Sequence, residues 1–443
     1  MNIHPLIPLT LGLAGIIFGR ICFQRWFNHL SLYSLIWGTG LALFELRLMN
    51  YHPITVEAWL IFGYAWIAFA IGSVALPLVR KAIGVNMEAA PQVFISPQAS
   101  QTEKRVLTVA IFFLTLVAFL AVLQHWSVLL NKFGSITSVL VSGNLIYRMR
   151  TSEQLPGMVP YLDSFGLAAS FFAGVYSART GKIRLLALLP LLIVILEDVA
   201  QVGRAKILNA GILFFSGYFL ARVAYPKELK TAGVGKGRRL LNLVIVVALL
   251  LSAAEFIRSF RRTYEGLYGV SRQLSKLEGA AFITPSIYMY MSSHPGVFSA
   301  YWKAGGEHPF PGSNTFAPVF RILAKFGIGE DVPDYQKFYT IPIATNTATY
   351  LRELHADFGY AGILVAPFLL GLLSTYLWLR IKTHNRFVTV AVLAHVYVIV
   401  AFTYLYQATR AGYWVMTLLI SIGVGSLIDR LVRKPELPAH DAR

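Results

Sequence analysis

Residues 106–124 read VLTVAIFFLTLVAFLAVLQ, a run of 19 residues without a charge. A helix that crosses a bilayer needs about 20 mostly apolar residues, so this stretch predicts a membrane-spanning helix. The composition agrees, because 56% of the 443 residues are hydrophobic and only 14% are charged, whereas soluble domains carry about 25% charged residues. These proportions exclude a cytosolic enzyme and a disordered scaffold, and they predict a polytopic membrane protein.

Ten similar runs elsewhere in the chain extend this prediction to an all-α polytopic membrane protein with about eleven transmembrane helices. About eight form an N-terminal group over 1–257, and about three form a C-terminal group over 359–429. A large loop lies between them over 258–358, and a tail follows over 430–443. The eleven runs are Leu6–Ile21, Leu30–Leu48, Val56–Val79, Val106–Gln124, Met158–Ala178, Leu185–Leu196, Ile207–Leu220, Leu240–Ile257, Gly359–Leu379, Phe387–Tyr404 and Gly412–Ile428.

The charge distribution predicts the orientation of the chain. It carries 39 Lys and Arg against 21 Asp and Glu, a formal net charge of +18. The basic residues lie between apolar runs, which favours membrane topology and an anionic substrate over nucleic-acid binding. Short basic connections such as RTGKIR at 179–184 and KGRR at 236–239 predict a cytoplasmic C-terminus, an outward N-terminus and an outward 258–358 loop. The lone cysteine, Cys22, excludes a disulfide within the chain.

The outward loop opens with a basic stretch. Arg258, Arg261 and Arg262 would share one face if the eighth helix continues past the membrane. Such a stripe on the outward side favours a polyanion site, and the alternative is that these arginines snorkel into lipid headgroups.

Two short helices, expected to lie at the membrane interface, are predicted further along the loop. The first has Thr284 as its N-cap and Pro285 as its first residue, and His294 before a proline is expected to end it. Its Tyr288 would suit sugar rings or interfacial packing. The second is an amphipathic helix over Phe316–Phe326.

The most informative stretch is TYLRELHADFGYAG at 349–362, where the loop re-enters the membrane. We expect Thr345 or Asn346 to cap a short helix there. Charges at such a depth are costly and are usually functional, although an anchoring network of salt bridges at a helix end is the alternative. In this helix Arg352 and His355 would share one face, Glu353 and Asp357 would share a neighbouring face, and Tyr350 is a further aromatic candidate for sugar contact.

Charged residues also lie at the ends of other runs on the outward side. Glu197-Asp198 ends the sixth run, Arg204 begins the seventh, and Arg410 lies in the turn between the last two. Arg204 and Arg410 are therefore candidates to point into one outward-open cavity, or to act as interfacial anchors. Glu45 and Arg47 are expected to neutralise one another.

The chain resembles the Wzy-type polymerases of bacterial polysaccharide assembly, also called oligosaccharide repeat unit or O-antigen polymerases. Three features carry the likeness: VGRAKIL at 202–208, the 349–362 stretch, and Arg410. The resemblance implies a glycosyltransferase C-type architecture in the bacterial inner membrane. It also implies inverting glycosyl transfer at the periplasmic face, from an undecaprenyl-diphosphate-linked glycan donor to a hydroxyl of a second lipid-linked repeat unit.

Further implications concern partners and cofactors. The family implies a chain-length regulator and a flippase as partners, beside membrane lipids. It implies an enzyme without metal or other cofactor, and the sequence contains no P-loop, no glycine-rich dinucleotide turn and no HExxH motif.

Residue roles follow from this chemistry. A departing diphosphate needs positive charge, which the arginine fork supplies. The acceptor hydroxyl needs a general base, for which His355 is preferred because its ordinary pKa is nearest to neutrality. The diphosphate-binding candidates are Arg204, Arg352, Arg410, Arg258, Arg261 and Arg262; the candidates for the base are His355, Glu353 and Asp357, the last also a candidate for helix capping; and the sugar-binding candidates are Tyr288 and Tyr350.

Two other functions remain open at this point. An O-antigen ligase shares the plan of many spans and one large outward loop. A lipid-linked oligosaccharide flippase belongs to a different class, and it would concentrate its charges near the bilayer midplane.

Overall fold

The computed structural model describes residues 4–82, 99–151, 159–225, 236–261, 285–329, 331–333, 336–384 and 386–432. Over these residues the protein is almost entirely helical. Two strands of two residues each, β1 (Tyr339–Thr340) and β2 (Ala344–Thr345), form an antiparallel hairpin ahead of the last group of helices. The helices are α1 (Leu6–Phe23), α2 (His29–Glu45), α3 (Val56–Ala82), α4 (Gln101–Phe133), α5 (Ile136–Val141), α6 (Gly143–Thr151), α7 (Asp163–Thr180), α8 (Leu185–Gln201), α9 (Ala205–Ala224), α10 (Lys236–Arg261), α11 (Pro285–Ser292), α12 (His294–Lys303), α13 (Ala317–Lys325), α14 (Tyr350–Thr383), α15 (Phe387–Phe402) and α16 (Gly412–Val432).

The apolar runs coincide with these helices. Each of the eleven predicted runs falls mainly on one helix, although Leu30–Leu48, Met158–Ala178 and Phe387–Tyr404 extend a few described residues beyond theirs. Within the part of the chain that the structure describes, six helices are long and apolar enough to cross a membrane: α1, α3, α4, α9, α14 and α16. The chain is therefore an all-α, multi-pass membrane protein, as predicted, while the number of eleven spans remains a prediction.

Glycines let pairs of helices pack with their backbones almost in contact. A methyl group at Gly72 of α3 would lie 2.0 Å from a backbone oxygen of α14, and one at Gly371 of α14 would lie 2.3 Å from a backbone oxygen of α3. The same relation joins α7 and α9 at Gly174 and Gly217. Small residues at such contacts are typical of helices that associate inside a bilayer, where close packing replaces the hydrophobic effect.

The long helix α14 consists of two parts. Gly359 has a left-handed backbone conformation, with φ 58° and ψ −144°, which interrupts the helix. The first part, 350–358, carries the charged residues, and the second part is the apolar ninth run, which was predicted to begin at Gly359. Thr349 is the N-cap, so the prediction that Thr345 or Asn346 caps this helix is wrong, because β2 holds the chain extended as far as Thr345.

The connections sort into two ends of the helical bundle. At one end, which we call the loop end, the Tyr288 hydroxyl donates a 2.5 Å hydrogen bond to the carbonyl of Leu43 in α2, and the amide of Tyr350 donates to the carbonyl of Thr403 beyond α15. The loop helices therefore pack onto the α2–α3 and α15–α16 connections. The opposite end holds the C-terminus of α7, the N-terminus of α4 and the start of α15.

One prediction on the loop helices is wrong, and another, the predicted N-cap Thr284, lies outside the described residues. His294 does not end a helix; α11 ends at Ser292, and His294 begins α12 with Pro295 in its first turn. Proline is well tolerated there because the amide hydrogens of a first helical turn have no helical acceptor. The amphipathic helix predicted over Phe316–Phe326 is confirmed as α13.

Candidate functional site

The charged segment of α14 presents two faces to the loop. Arg352 and His355, three residues apart, both contact Tyr301 of α12. Glu353 and Asp357, four residues apart, face the segments that hold Arg410, and the positive charge of Arg410 acts on the Glu353 carboxylate. The predicted division into two faces is confirmed.

Arg352 is fully buried and ties three loop segments together. Its terminal nitrogens donate hydrogen bonds to the carbonyls of Asn346 at 2.8 Å and Lys337 at 3.0 Å, and to Oε1 of Glu307 at 2.7 Å. The guanidinium also lies 5.1 Å from the ring centroid of Tyr339. In this conformation both terminal nitrogens of Arg352 are engaged within the protein.

Tyr339 and Glu307 complete this cluster. The Tyr339 hydroxyl donates to the same Glu307 oxygen that pairs with Arg352, at 3.0 Å. Burial, and then the neighbouring Glu307 carboxylate, raise the pKa of Tyr339 to about 12. Tyr339 therefore stays a neutral donor at any physiological pH.

Asp357 is occupied by four hydrogen-bond donors. Its two carboxylate oxygens accept bonds from the amide and side chain of Asn314, at 3.0 and 2.9 Å, and from the amide and hydroxyl of Thr315, both at 2.7 Å. These two residues directly precede α13. Asp357 therefore holds the turn that precedes α13, and its assignment as a base or as a helix cap stays a prediction.

Arg410 is buried on the other side of the same two residues. It donates to the side-chain oxygen of Asn314 and to the carbonyl of Pro333. The neighbouring Thr409 hydroxyl donates to the carbonyl of Thr315 at 2.8 Å. Arg410 therefore joins the α15–α16 connection to the start of α13.

Glu353 is fully buried and only partly satisfied. One carboxylate oxygen accepts a 2.7 Å bond from the side chain of Gln336. Among the described residues, the other oxygen has no hydrogen-bond partner. Glu353 thus keeps one acceptor position open inside the site.

His355 is half-buried in an aromatic setting. Its Nδ1 lies 2.7 Å from the Tyr301 hydroxyl, and its ring lies 4.7 Å from that of Trp302 and 5.8 Å from that of Tyr360. Burial raises the pKa of Tyr301 well above its ordinary value, so Tyr301 is a neutral phenol. Within the described chain, Nε2 of His355 has no hydrogen-bond partner, which leaves it available to a substrate.

Arg204 lies in the α8–α9 connection at the loop end. Its guanidinium lies 5.1 Å from the ring centroid of Tyr290 in α11, and its Nε is buried without a partner among the described residues. Asp198 holds this connection in shape, because its carboxylate accepts the amide of Ile207 at 2.9 Å and its carbonyl accepts the amide of Gly203 at 2.9 Å.

A buried ionic cluster beside Arg204 was not predicted. Lys206 pairs with Glu197 at 2.7 Å and closely with Asp163, and it also donates to Gln201 at 3.1 Å. Lys206 lies within the VGRAKIL stretch, and Glu197 ends the preceding run. An acidic and a basic residue thus flank one tight connection, and this pattern in the sequence could have predicted the ion pair.

The 403–410 segment links Arg204 to Arg410. The Arg204 guanidinium lies over the ring of Tyr290. The carbonyl of Tyr290 lies 2.7 Å from Nε2 of His294, within hydrogen-bond distance. The His294 ring in turn lies 5.5 Å from the ring of Tyr404 in the 403–410 segment. Arg204, Arg352 and Arg410 therefore come from three distant parts of the chain to the same end of the bundle.

The remaining candidates lie as follows. Tyr288 and Tyr350 are both buried, and the Tyr350 hydroxyl lies 3.2 Å from that of Tyr33, so contact with a sugar remains a prediction. Helix α10 extends to Arg261, which agrees with a helix that continues past the eighth run. The side chains of Arg258 and Arg261, and the whole of Arg262, lie outside the described residues.

Taken together, the fold and its apolar helices define a multi-pass, all-α membrane protein with a polar cluster at one end. Comparison with protein-family models, with curated proteins and with solved structures finds no match.

Proposed function

We propose that this protein is a polymerase that joins undecaprenyl-diphosphate-linked oligosaccharide repeat units by inverting glycosyl transfer. One observation carries the proposal: Arg204, Arg352 and Arg410, the arginines in the stretches that resemble Wzy-type polymerases, converge on the end of the bundle that also holds His355. A lipid-linked diphosphate needs such positive charge when it departs.

We further propose that the loop end faces the periplasm. The basic connection at 179–184 follows α7, whose C-terminus lies at the opposite end, where Arg179 pairs with Glu103 of α4. An excess of Lys and Arg in short connections is typical of the cytoplasmic side. The basic connection that this rule assigns to the cytoplasm lies at the end of the bundle opposite the loop end, which supports a periplasmic loop end.

The contacts suggest different roles for the three arginines. Arg352 and Arg410 are engaged with loop carbonyls and side chains, so they hold the site in shape and contribute to its positive field. Arg204 is half-buried, stacks on Tyr290 and has an unpartnered Nε. We therefore assign the direct contact with the diphosphate to Arg204.

His355 is the proposed general base. The acceptor hydroxyl oxygen attacks the anomeric carbon while the bond from that carbon to the diphosphate oxygen breaks. The hydroxyl proton passes to Nε2 of His355, and undecaprenyl diphosphate leaves with the bonding electron pair. Nε2 can accept a proton when the neutral imidazole carries its hydrogen on Nδ1. That N–H group can donate a hydrogen bond to the Tyr301 oxygen, which lies 2.7 Å from Nδ1.

The test is the glycan profile of a strain that lacks this gene. A polymerase deletion leaves single repeat units that still reach their final acceptor, and the intact gene restores long polymer. Long polymer that accumulates on the lipid carrier would show a ligase instead. Single units trapped on the cytoplasmic face would show a flippase, and either of these results contradicts the proposal.

A further inference from the structure

The loop contains one helix whose outward side is apolar. Val319 and Ile322 of α13 and Phe326, the residue that directly follows it, are 54%, 53% and 76% exposed, and spacings of three and four residues place them on one face. Ala317, by contrast, is fully buried. At 3.6 residues per turn it lies roughly half a turn from the centre of that exposed face, so the apolar face points away from the protein.

The segment that leads into α13 adjoins the start of the membrane-spanning part of α14. The Thr315 amide donates a 2.7 Å hydrogen bond to the Asp357 carboxylate, and the residue that follows each of them, Phe316 and Phe358, is exposed. Tyr360, the second residue of the apolar run of α14, is exposed as well. Exposed aromatic residues therefore lie where the segment before α13 adjoins α14, a helix that is long and apolar enough to cross a bilayer.

From this arrangement we propose that α13 lies in the plane of the membrane interface, with its apolar face in the bilayer. An amphipathic helix that presents apolar residues away from its own protein matches the geometry of an interfacial helix. Lys325, exposed at the end of α13, lies on the flank of the apolar face, where its ammonium group can reach lipid phosphates.

The docking has a consequence for the loop end. Asp357 and Arg410 both bind Asn314, next to the start of α13. A helix held in the interface would therefore fix the height of the 350–358 segment above the bilayer. This inference does not depend on the proposed polymerase activity.

Spin labels test the inference in the full-length protein. Cys22 is the only cysteine, so Cys22→Ser gives a cysteine-free background. Single cysteines then replace Val319, Ile322, Phe326 and, as the matched control on the flank of the same helix, Lys325. Each variant carries a nitroxide and is reconstituted in vesicles of phosphatidylethanolamine and phosphatidylglycerol. Collision with oxygen, which partitions into the bilayer, is compared with collision with a water-soluble nickel chelate.

Labels at 319, 322 and 326 should collide more with oxygen than with nickel, and the label at 325 should show the reverse. Greater nickel than oxygen accessibility at all four positions would overturn the inference. Shielding of 319, 322 and 326 from both reagents would show that protein covers the face, and it would also overturn it. Each of the three positions reports separately, so one variant that fails to fold leaves two measurements.

Discussion

The Tyr301 hydroxyl oxygen lies 2.7 Å from Nδ1 of His355, within hydrogen-bond distance. The two residues are 54 positions apart in the chain, and the contact joins α12 to the charged segment of α14. In the proposed mechanism Nδ1–H of His355 donates a hydrogen bond to the Tyr301 oxygen, which leaves Nε2 free to accept a proton. Tyr301 is then a positioning residue, and His355 is the catalytic one.

Replacement of each residue should separate these two roles. Tyr301→Phe removes one hydrogen bond, worth about 0.5–1.5 kcal/mol, so the rate of polymerisation should fall roughly 2- to 13-fold. His355→Ala should lower it by about 10²- to 10⁴-fold, which is typical of losing a general base. Initial rates with lipid-linked repeat units measure both, and kcat should fall while KM stays unchanged. Equal losses for the two variants would contradict the division of roles.

Arg204 has a natural control on its own helix. At the two ends of α9, Arg204 lies 5.1 Å from the ring of Tyr290 and Arg222 lies 5.6 Å from the ring of Tyr218. Arg204→Ala should reduce polymerisation by about 10²- to 10³-fold, as expected when one group that stabilises developing charge is lost. Arg222→Ala should leave it within about twofold, because Arg222 is at the opposite end.

A lysine variant refines the same comparison. Arg204→Lys should recover only part of the activity, since a single ammonium group lacks the two-pronged geometry that suits phosphate. The polymer length made by each variant can be read from a glycan gel. Long polymer of normal abundance in Arg204→Ala would exclude Arg204 as the diphosphate contact.

Arg352 should behave as a structural residue. Arg352→Ala leaves the carbonyls of Asn346 and Lys337 without their donor, at about 1–3 kcal/mol for each buried acceptor left unsatisfied. The loop should then be cleaved faster by a protease added to the purified protein, and polymer should be lost as a result. Lys303→Ala, at an exposed lysine of the same loop, is the control and should change neither. Unchanged proteolysis together with lost polymer would instead favour direct contact of Arg352 with substrate.

Features that depend on residues close together in the sequence could be predicted, and features that depend on residues far apart in the sequence could not. Helix positions follow from local apolar runs, and the two faces of 350–358 follow from helical periodicity alone. The pairing of Glu45 with Arg47, at 3.2 Å, needed only two neighbouring residues and is confirmed. The break at Gly359 also agrees with the predicted start of the ninth run.

Contacts between distant parts of the chain could not be predicted in this way. Arg179 looked like an ordinary basic residue of a short connection, but it is buried against Glu103, 76 residues earlier. The pairing of Arg352 with Glu307 spans 45 residues. No periodicity or spacing reports such pairs, because they depend on how the helices pack.

The orientation of the bundle has its own test. In the Cys22→Ser background, cysteines at the exposed positions Lys303 and Lys182 report the loop end and the opposite end. A membrane-impermeant maleimide should label the residue at 303 on intact spheroplasts and the residue at 182 only after lysis. The reverse pattern would place the loop end in the cytoplasm. It would contradict the proposal that glycosyl transfer takes place at the periplasmic face.

The most direct test of the central claim is reconstitution of the reaction. Purified full-length protein is mixed with undecaprenyl-diphosphate-linked repeat units from the source organism, with and without a metal chelator. The account predicts a ladder of products that grows by whole repeat units and releases one undecaprenyl diphosphate per bond formed, with or without chelator. Intact, monodisperse protein that leaves every repeat unit unjoined would contradict it.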